Sequence, residues 1–207
     1  IQRGKEGDLD RVKMNLADAV TVKKSQNAST TLGVQCLLMP ENIHQIAYMA
    51  KELKEIGIDY FTVKPYSQHL HSQNKMEIDY SQMSELGEEL KQIATKDFAI
   101  YFRANAMQKM HKEKCYQECL GMPFMTHIDA KGNVWPCVAH IGNEKYCFGN
   151  IYENTIEEIW ESQKRHNIMQ EINRQDINKI CREACRLDEI NKYLTELKNP
   201  GAHVNFI

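Results

Sequence analysis

Between residues 8 and about 25, apolar side chains recur at Leu9, Val12, Leu16 and Val20. That is the spacing of one helical face, and it follows an aspartate-bearing start that suits a helix N-terminus. Residues 30–39 (TTLGVQCLLM) form a nearly continuous apolar run of strand length, ended by Pro40, the pattern of a parallel strand buried on both faces. Asn42 suits the cap of a following helix whose Ile46, Met49, Ala50, Leu53 and Ile56 share a face, and Gly57 suits its exit. Residues 60–63 read as a second short buried strand. Residues 79–94 read as a helix with Met83, Leu86, Leu90 and Ile93 inward, and residues 98–102 as a third strand.

Helix and strand alternating three times is the grammar of parallel βα units. Three such strands leave two bare edges, which sheets normally avoid. The expectation for residues 1–105 is therefore an α/β half-barrel, its other half supplied by an N-terminal segment that this sequence does not contain or, as the second choice, by a partner chain.

From Cys115 the pattern changes. Short strands over 124–129 and 134–137 flank Ala130-Lys131-Gly132-Asn133, which reads as a β-hairpin turn. Asn154 suits the cap of one long helix beginning TIEEIW. Cys181 and Cys185 stand at the entry of a last helix whose apolar face would be Leu187, Ile190, Tyr193, Leu194 and Leu197. Residues 106–207 are thus expected to be a small, separate hairpin-and-helix domain.

A formal net charge of −2 over 207 residues gives no basic field for nucleic acid. Uninterrupted apolar runs such as residues 36–39 are far too short to cross a bilayer, and no charged-then-apolar leader opens the chain. These features lead to the expectation of a cytoplasmic protein with no membrane or nucleic-acid partner.

The seven cysteines change the picture most. In a reducing compartment they are not disulfides, and thiolates suit zinc and iron–sulfur centres. Cys119 is followed after twelve residues by Gly132 and after four more by Cys137; a close pair, Cys181 and Cys185, comes later. The residues leave three readings open: packing cysteines, a structural Cys₄ zinc site, or an iron–sulfur cluster. A first pair spread across a hairpin is unlike the tight pairs of zinc modules and favours the cluster. Cys36 reads as core, and Cys115 and Cys147 as spare thiols that could replace a ligand. The ten methionines read as core filler.

The run Cys119–x₁₂–Gly132–x₄–Cys137, then GNIYENTIEEIW, then Cys181 and Cys185, resembles the auxiliary-cluster region of radical SAM enzymes with a twitch, or shortened SPASM, domain. The resemblance implies that residues 1–105 are the second half of a partial (β/α)₆ barrel. It implies that residues 106–207 are an α+β module with one auxiliary [4Fe–4S] cluster on Cys119, Cys137, Cys181 and Cys185. In the intact enzyme it implies S-adenosylmethionine, a second [4Fe–4S] cluster and a reducing partner such as flavodoxin or ferredoxin. The activity implied is hydrogen abstraction from a small-molecule substrate by a 5′-deoxyadenosyl radical. Two features depart from the family pattern: the last pair is CxxxC where CxxC is common, and the CxxxCxxC loop that holds the catalytic cluster does not occur in this sequence.

Ligands of α/β sheets sit at the C-terminal ends of the strands. Those ends carry Gln35 and Asn42, then Lys64, Tyr66 and Gln68, then Arg103 and Asn105. Lys64 and Arg103 suit an anionic group, and Gln35 suits S-adenosylmethionine or substrate if it points into the barrel. His69 and His71 are further candidate substrate contacts. A non-catalytic electron-transfer or interaction module, stabilised by zinc or by a cluster, is the alternative expectation.

Overall fold

The computed structural model describes residues 5–68, 72, 73, 76, 78–81, 83–110 and 112–202. The chain divides into two compact units, residues 1–66 with 76–110, and residues 67–75 with 111–207. Both mix helices and strands.

The first unit runs α1 (Asp8–Ser25), β1 (Gly33–Leu38), α2 (Ile46–Ile56), β2 (Tyr60–Pro65), α3 (Ser84–Ile93), β3 (Ala99–Phe102) and α4 (Ala104–Gln108). Its sheet is wholly parallel in the order β1–β2–β3, with Gly33 opposite Tyr60 and Tyr60 opposite Ala99. Phe61 and Val63 of the central strand are fully buried, as are Ile46, Ala50 and Leu53 of α2. Strand alternation then places Gln35, Thr62 and Lys64 on the opposite face of the sheet from Phe61 and Val63.

Several expectations are corrected here. The strand expected to be buried on both faces is an edge strand whose positions alternate between exposed and half-buried until Leu38. It has one strand neighbour among the described residues, and an edge needs burial on one face only. Cys36 is accordingly half-buried rather than core, its thiol pushed up by that burial. Leu9 and Val12 of α1 are 57 % and 50 % exposed, and Val20 alone of the expected face is buried. The helix is instead tied down along its length by Lys13–Glu52 (2.8 Å) and Lys23–Asp59 (2.6 Å).

Asn42 does not cap α2. Its Oδ1 accepts from the Met39 N–H at 3.0 Å and its Nδ2 donates to the Leu37 carbonyl at 2.9 Å, closing the turn after β1. A 3₁₀ turn, Ile43–Gln45, then leads into α2. The third helix starts at Ser84, because Tyr80 is used elsewhere: its buried hydroxyl accepts from Tyr66 N–H at 2.7 Å and donates to the Leu38 carbonyl at 3.0 Å.

The second unit carries a small antiparallel sheet, β4 (His127–Ile128), β5 (Asn133–Trp135) and β6 (Gly149–Asn150), in that order. The hairpin forms at the expected turn with shorter strands. Gly132 sits at φ 81°, where a Cβ would come within 2.6 Å of the Tyr152 ring. Asp129 organises the turn, accepting from the N–H groups of Lys131 and Asn133 and from Trp135 Nε1 at 3.0 Å.

The long helix expected after Asn154 is two helices, α5 (Ile156–Glu161) and α6 (Gln163–Asn173). Thr155, rather than Asn154, caps the first in a reciprocal box with Glu158, and Ser162 breaks the run and caps the second. Beyond them lie α7 (Ile177–Ile180) and α8 (Asp188–Lys198). Of the face expected for the last helix, Leu187 is buried and Leu194 half-buried, but the rest is turned outward. Leu187, Asp188 and Asn191 are buried, whereas Ile190, Tyr193 and Leu197 are exposed.

Candidate metal centre

Three separate stretches bring the thiols of the second unit together. Cys119 precedes the hairpin, in a turn held by Asn173, whose Oδ1 accepts from the Cys119 N–H at 3.0 Å. Cys137 leaves β5 in extended conformation. Cys181 ends α7, its N–H bonded to the Ile177 carbonyl at 3.0 Å. Cys185 stands before α8, where its sulfur accepts from the Leu187 N–H at 3.4 Å. Cys119, Cys181 and Cys185 join one apolar core with Tyr116, Val134, Phe148 and Ile177.

The electrostatics record their proximity. The Cys137 thiol is raised to about 11, by burial first and also by the thiols of Cys185 and Cys119, against the N–H groups of Ala139 and His140. Burial raises Cys181 to about 12, with Cys119, Cys185 and Cys137 adding to the effect and Lys114 opposing it. Cys119 is raised by burial and by Cys185, against a hydrogen bond from Asn191. Cys119, Cys137 and Cys181 are each raised by neighbouring thiols and are poorly stable as free thiolates. A cation or cationic cluster at their centre reverses that penalty.

Cys137, Cys181 and Cys185 line a cavity of about 400 Å³ together with Met125, His127 and Arg182. Two nitrogens in its wall, His127 Nε2 and Arg182 Nε, are buried without a hydrogen-bond partner among the described residues. Arg182 is held at its other end by donation to Ser67 Oγ at 2.8 Å, and Lys114 Nζ donates to its carbonyl at 3.0 Å. A single tetrahedral zinc, with Zn–S near 2.3 Å, draws its sulfurs to roughly 3.8 Å apart. Among the described residues no three His, Cys, Asp or Glu side chains are grouped to hold a metal ion. A cationic core ligated by several thiolates is net negative as a whole, and the cationic and unpartnered polar groups in the cavity wall suit such a centre.

The other two thiols stand apart. Cys115 is exposed, and Cys147 is turned toward the Gly149 carbonyl at 3.4 Å. In the first unit, Gln35 is exposed in mid-strand opposite Thr62, and Lys64 is half-buried opposite Leu37. Arg103 is exposed one residue past β3, its N–H bonded to the Val63 carbonyl at 3.0 Å. His69 and His71 lie outside the described residues. Asn191 and Tyr80 were not singled out from the sequence. A helix-face reading treats Asn191 as an interruption, and only its burial marks it.

The sequence of this segment matches the family model of an iron–sulfur cluster-binding domain, SPASM, over residues 119–186, from the first of the four cysteines to just past the last. That segment, about a third of the chain, is thus similar to SPASM domains, and the likeness points to iron–sulfur cluster binding there. No curated protein matches the chain. Among solved structures the chain is similar to a crystal structure of selenomethionine BtrN in an open conformation, at 13% identity, over 82% of this chain and 77% of that one. With a TM-score of 0.26, that likeness carries no structural inference. Among the described residues no helix is long and apolar enough to cross a membrane.

Proposed function

We propose that this chain is the C-terminal part of a radical SAM enzyme, with a [4Fe–4S] cluster on Cys119, Cys137, Cys181 and Cys185 in its SPASM segment. The observation that carries the reading is the gathering of Cys137, Cys181 and Cys185 around one cavity, with Cys119 near enough to raise two of them, and a sequence match spanning all four. Bound there, the cluster supplies one-electron chemistry. The protein's own contribution is to bury the ligands, exclude water and set the charge around them, with Arg182 and Lys114 on the cationic side.

On this reading the parallel β1–β2–β3 sheet is part of a barrel completed by a preceding segment, which would cover the open edge of β1. The substrate is a small polar molecule with an anionic group, received by Lys64 and Arg103, with Gln35 toward it or S-adenosylmethionine. The reductant is a flavodoxin or ferredoxin, and the setting is cytoplasmic.

The test is iron, sulfide and zinc content after anaerobic purification and reconstitution, read beside the visible spectrum. About four irons and four sulfides per chain, with brown absorbance, support the proposal. One zinc and no colour overturn it in favour of a non-catalytic zinc-stabilised module.

A further inference from the structure

Asn191 is 1 % exposed and sits on α8 beyond the end of the matched segment. Its amide has two ends that are not interchangeable here. Oδ1 accepts from the Gly121 backbone N–H at 2.7 Å, and because that group can only donate, the oxygen must face it. Nδ2 is thereby turned the other way, onto Cys119 Sγ at 3.5 Å. One side chain thus grips both the cysteine and the glycine of a single turn. The surrounding turn of α8 is anchored by Tyr116 Oη donating to Asp188 Oδ1 at 3.0 Å and by Lys192 paired with Asp188 Oδ2 at 2.8 Å.

Packing alone does not call for an amide at this position. The Gly121 N–H calls for an acceptor here, which aspartate would also supply, but it does not call for the donor half of the amide. A neutral thiol is a weak acceptor, so the Nδ2–H gains little from it. A metal-bound thiolate is a charged acceptor and repays the donor. We propose that Asn191 is a positioning residue of the iron–sulfur site, whose amide donates to the ligand sulfur of Cys119, orients that ligand and raises the reduction potential of the cluster. The inference rests on Cys119 being a ligand. Donation to a ligand sulfur withdraws charge and so favours the reduced, more negative state of the cluster.

The experiment is a potentiometric titration of the reconstituted full chain, followed by electron paramagnetic resonance, in wild type, Asn191→Asp and Asn191→Leu. Asn191→Asp keeps an oxygen for the Gly121 N–H and replaces the donor with an acceptor. Asn191→Leu removes the donor without adding charge. Both are expected to lower the reduced-to-oxidised ratio at a fixed potential at least tenfold, equal to 59 mV for one electron. Cluster-loaded variants at the wild-type potential overturn the inference. A second readout needs no variant: in wild type with side-chain ¹⁵N-labelled asparagine, pulsed resonance of the reduced cluster is expected to show a weakly coupled ¹⁵N, and its absence overturns the inference. A wild-type chain that takes up no iron overturns the ligand reading itself, a result distinct from a loaded cluster with an unmoved potential.

Discussion

The hydroxyl of Tyr80 donates to the carbonyl of Leu38 at 3.0 Å and pins the last residue of the edge strand β1. The same oxygen accepts from the Tyr66 N–H, just past the end of β2. One buried phenol therefore ties together the C-terminal ends of two parallel strands, the end at which α/β sheets receive ligands.

Tyr80→Phe keeps the ring and leaves a buried carbonyl and a backbone N–H without this partner. The expected loss is about 1–3 kcal/mol, read as a lower urea midpoint with an unchanged slope. A midpoint equal to that of wild type would show that water replaces the hydroxyl.

Asp59 gives the first unit a pH dependence of known sign. Donation from Lys23 and then from the Leu32 N–H holds its carboxyl below the usual range, against a smaller effect of burial. A lowered folded-state pKa contributes stability that is complete above the unfolded value of about 3.9 and is lost as pH falls through the folded value. Wild type should therefore lose more melting temperature than Asp59→Asn between pH 5 and pH 3. Parallel curves for the two proteins would remove the Lys23–Asp59 pair from the account.

Gly132 holds the hairpin that leads into Cys137. Its positive φ and the nearby Tyr152 ring make Gly132→Ala costly, by about 1 kcal/mol or more. Because Cys137 lies two residues past the hairpin's second strand, iron retention after reconstitution should fall together with the thermal midpoint.

Cys137→Ala and Cys181→Ala are expected to abolish cluster absorbance. Cys36→Ala, on the other unit, should keep full iron content and cost about 1 kcal/mol in packing. Full iron in both ligand variants would refute the assignment of Cys137 and Cys181.

Ser162 is the point at which one expected helix becomes two. Its Oγ accepts from the Arg165 N–H at 3.1 Å, and Ser162→Ala should destabilise the second unit by roughly 0.5–2 kcal/mol in a denaturant melt.

Local chemistry made much of the chain legible. The span of α1, the exit of α2 at Gly57 and the turn at Gly132 follow from residues close in sequence, because capping, apolar spacing and positive φ are local properties. The spacing of the four cysteines likewise marked the segment that matches the SPASM family model, since the type and order of side chains are written in the chain.

Orientation was the property that the sequence alone did not determine. Leu9 and Val12 have helical spacing but are exposed, because periodicity defines a face and only the neighbouring elements determine whether it is covered. In α8 the choice went against hydropathy: Asp188 and Asn191 turn inward because Tyr116, Gly121 and Cys119 offer them hydrogen-bond partners, and Tyr193 is left outside. Those partners lie about seventy residues away in the chain, so no local pattern could announce them. The sequence by itself determined which residues could bind a metal and in what order they come. The tertiary structure decided which thiols share a cavity, and that a buried asparagine stands behind Cys119, because satisfying buried polar groups is a long-range constraint.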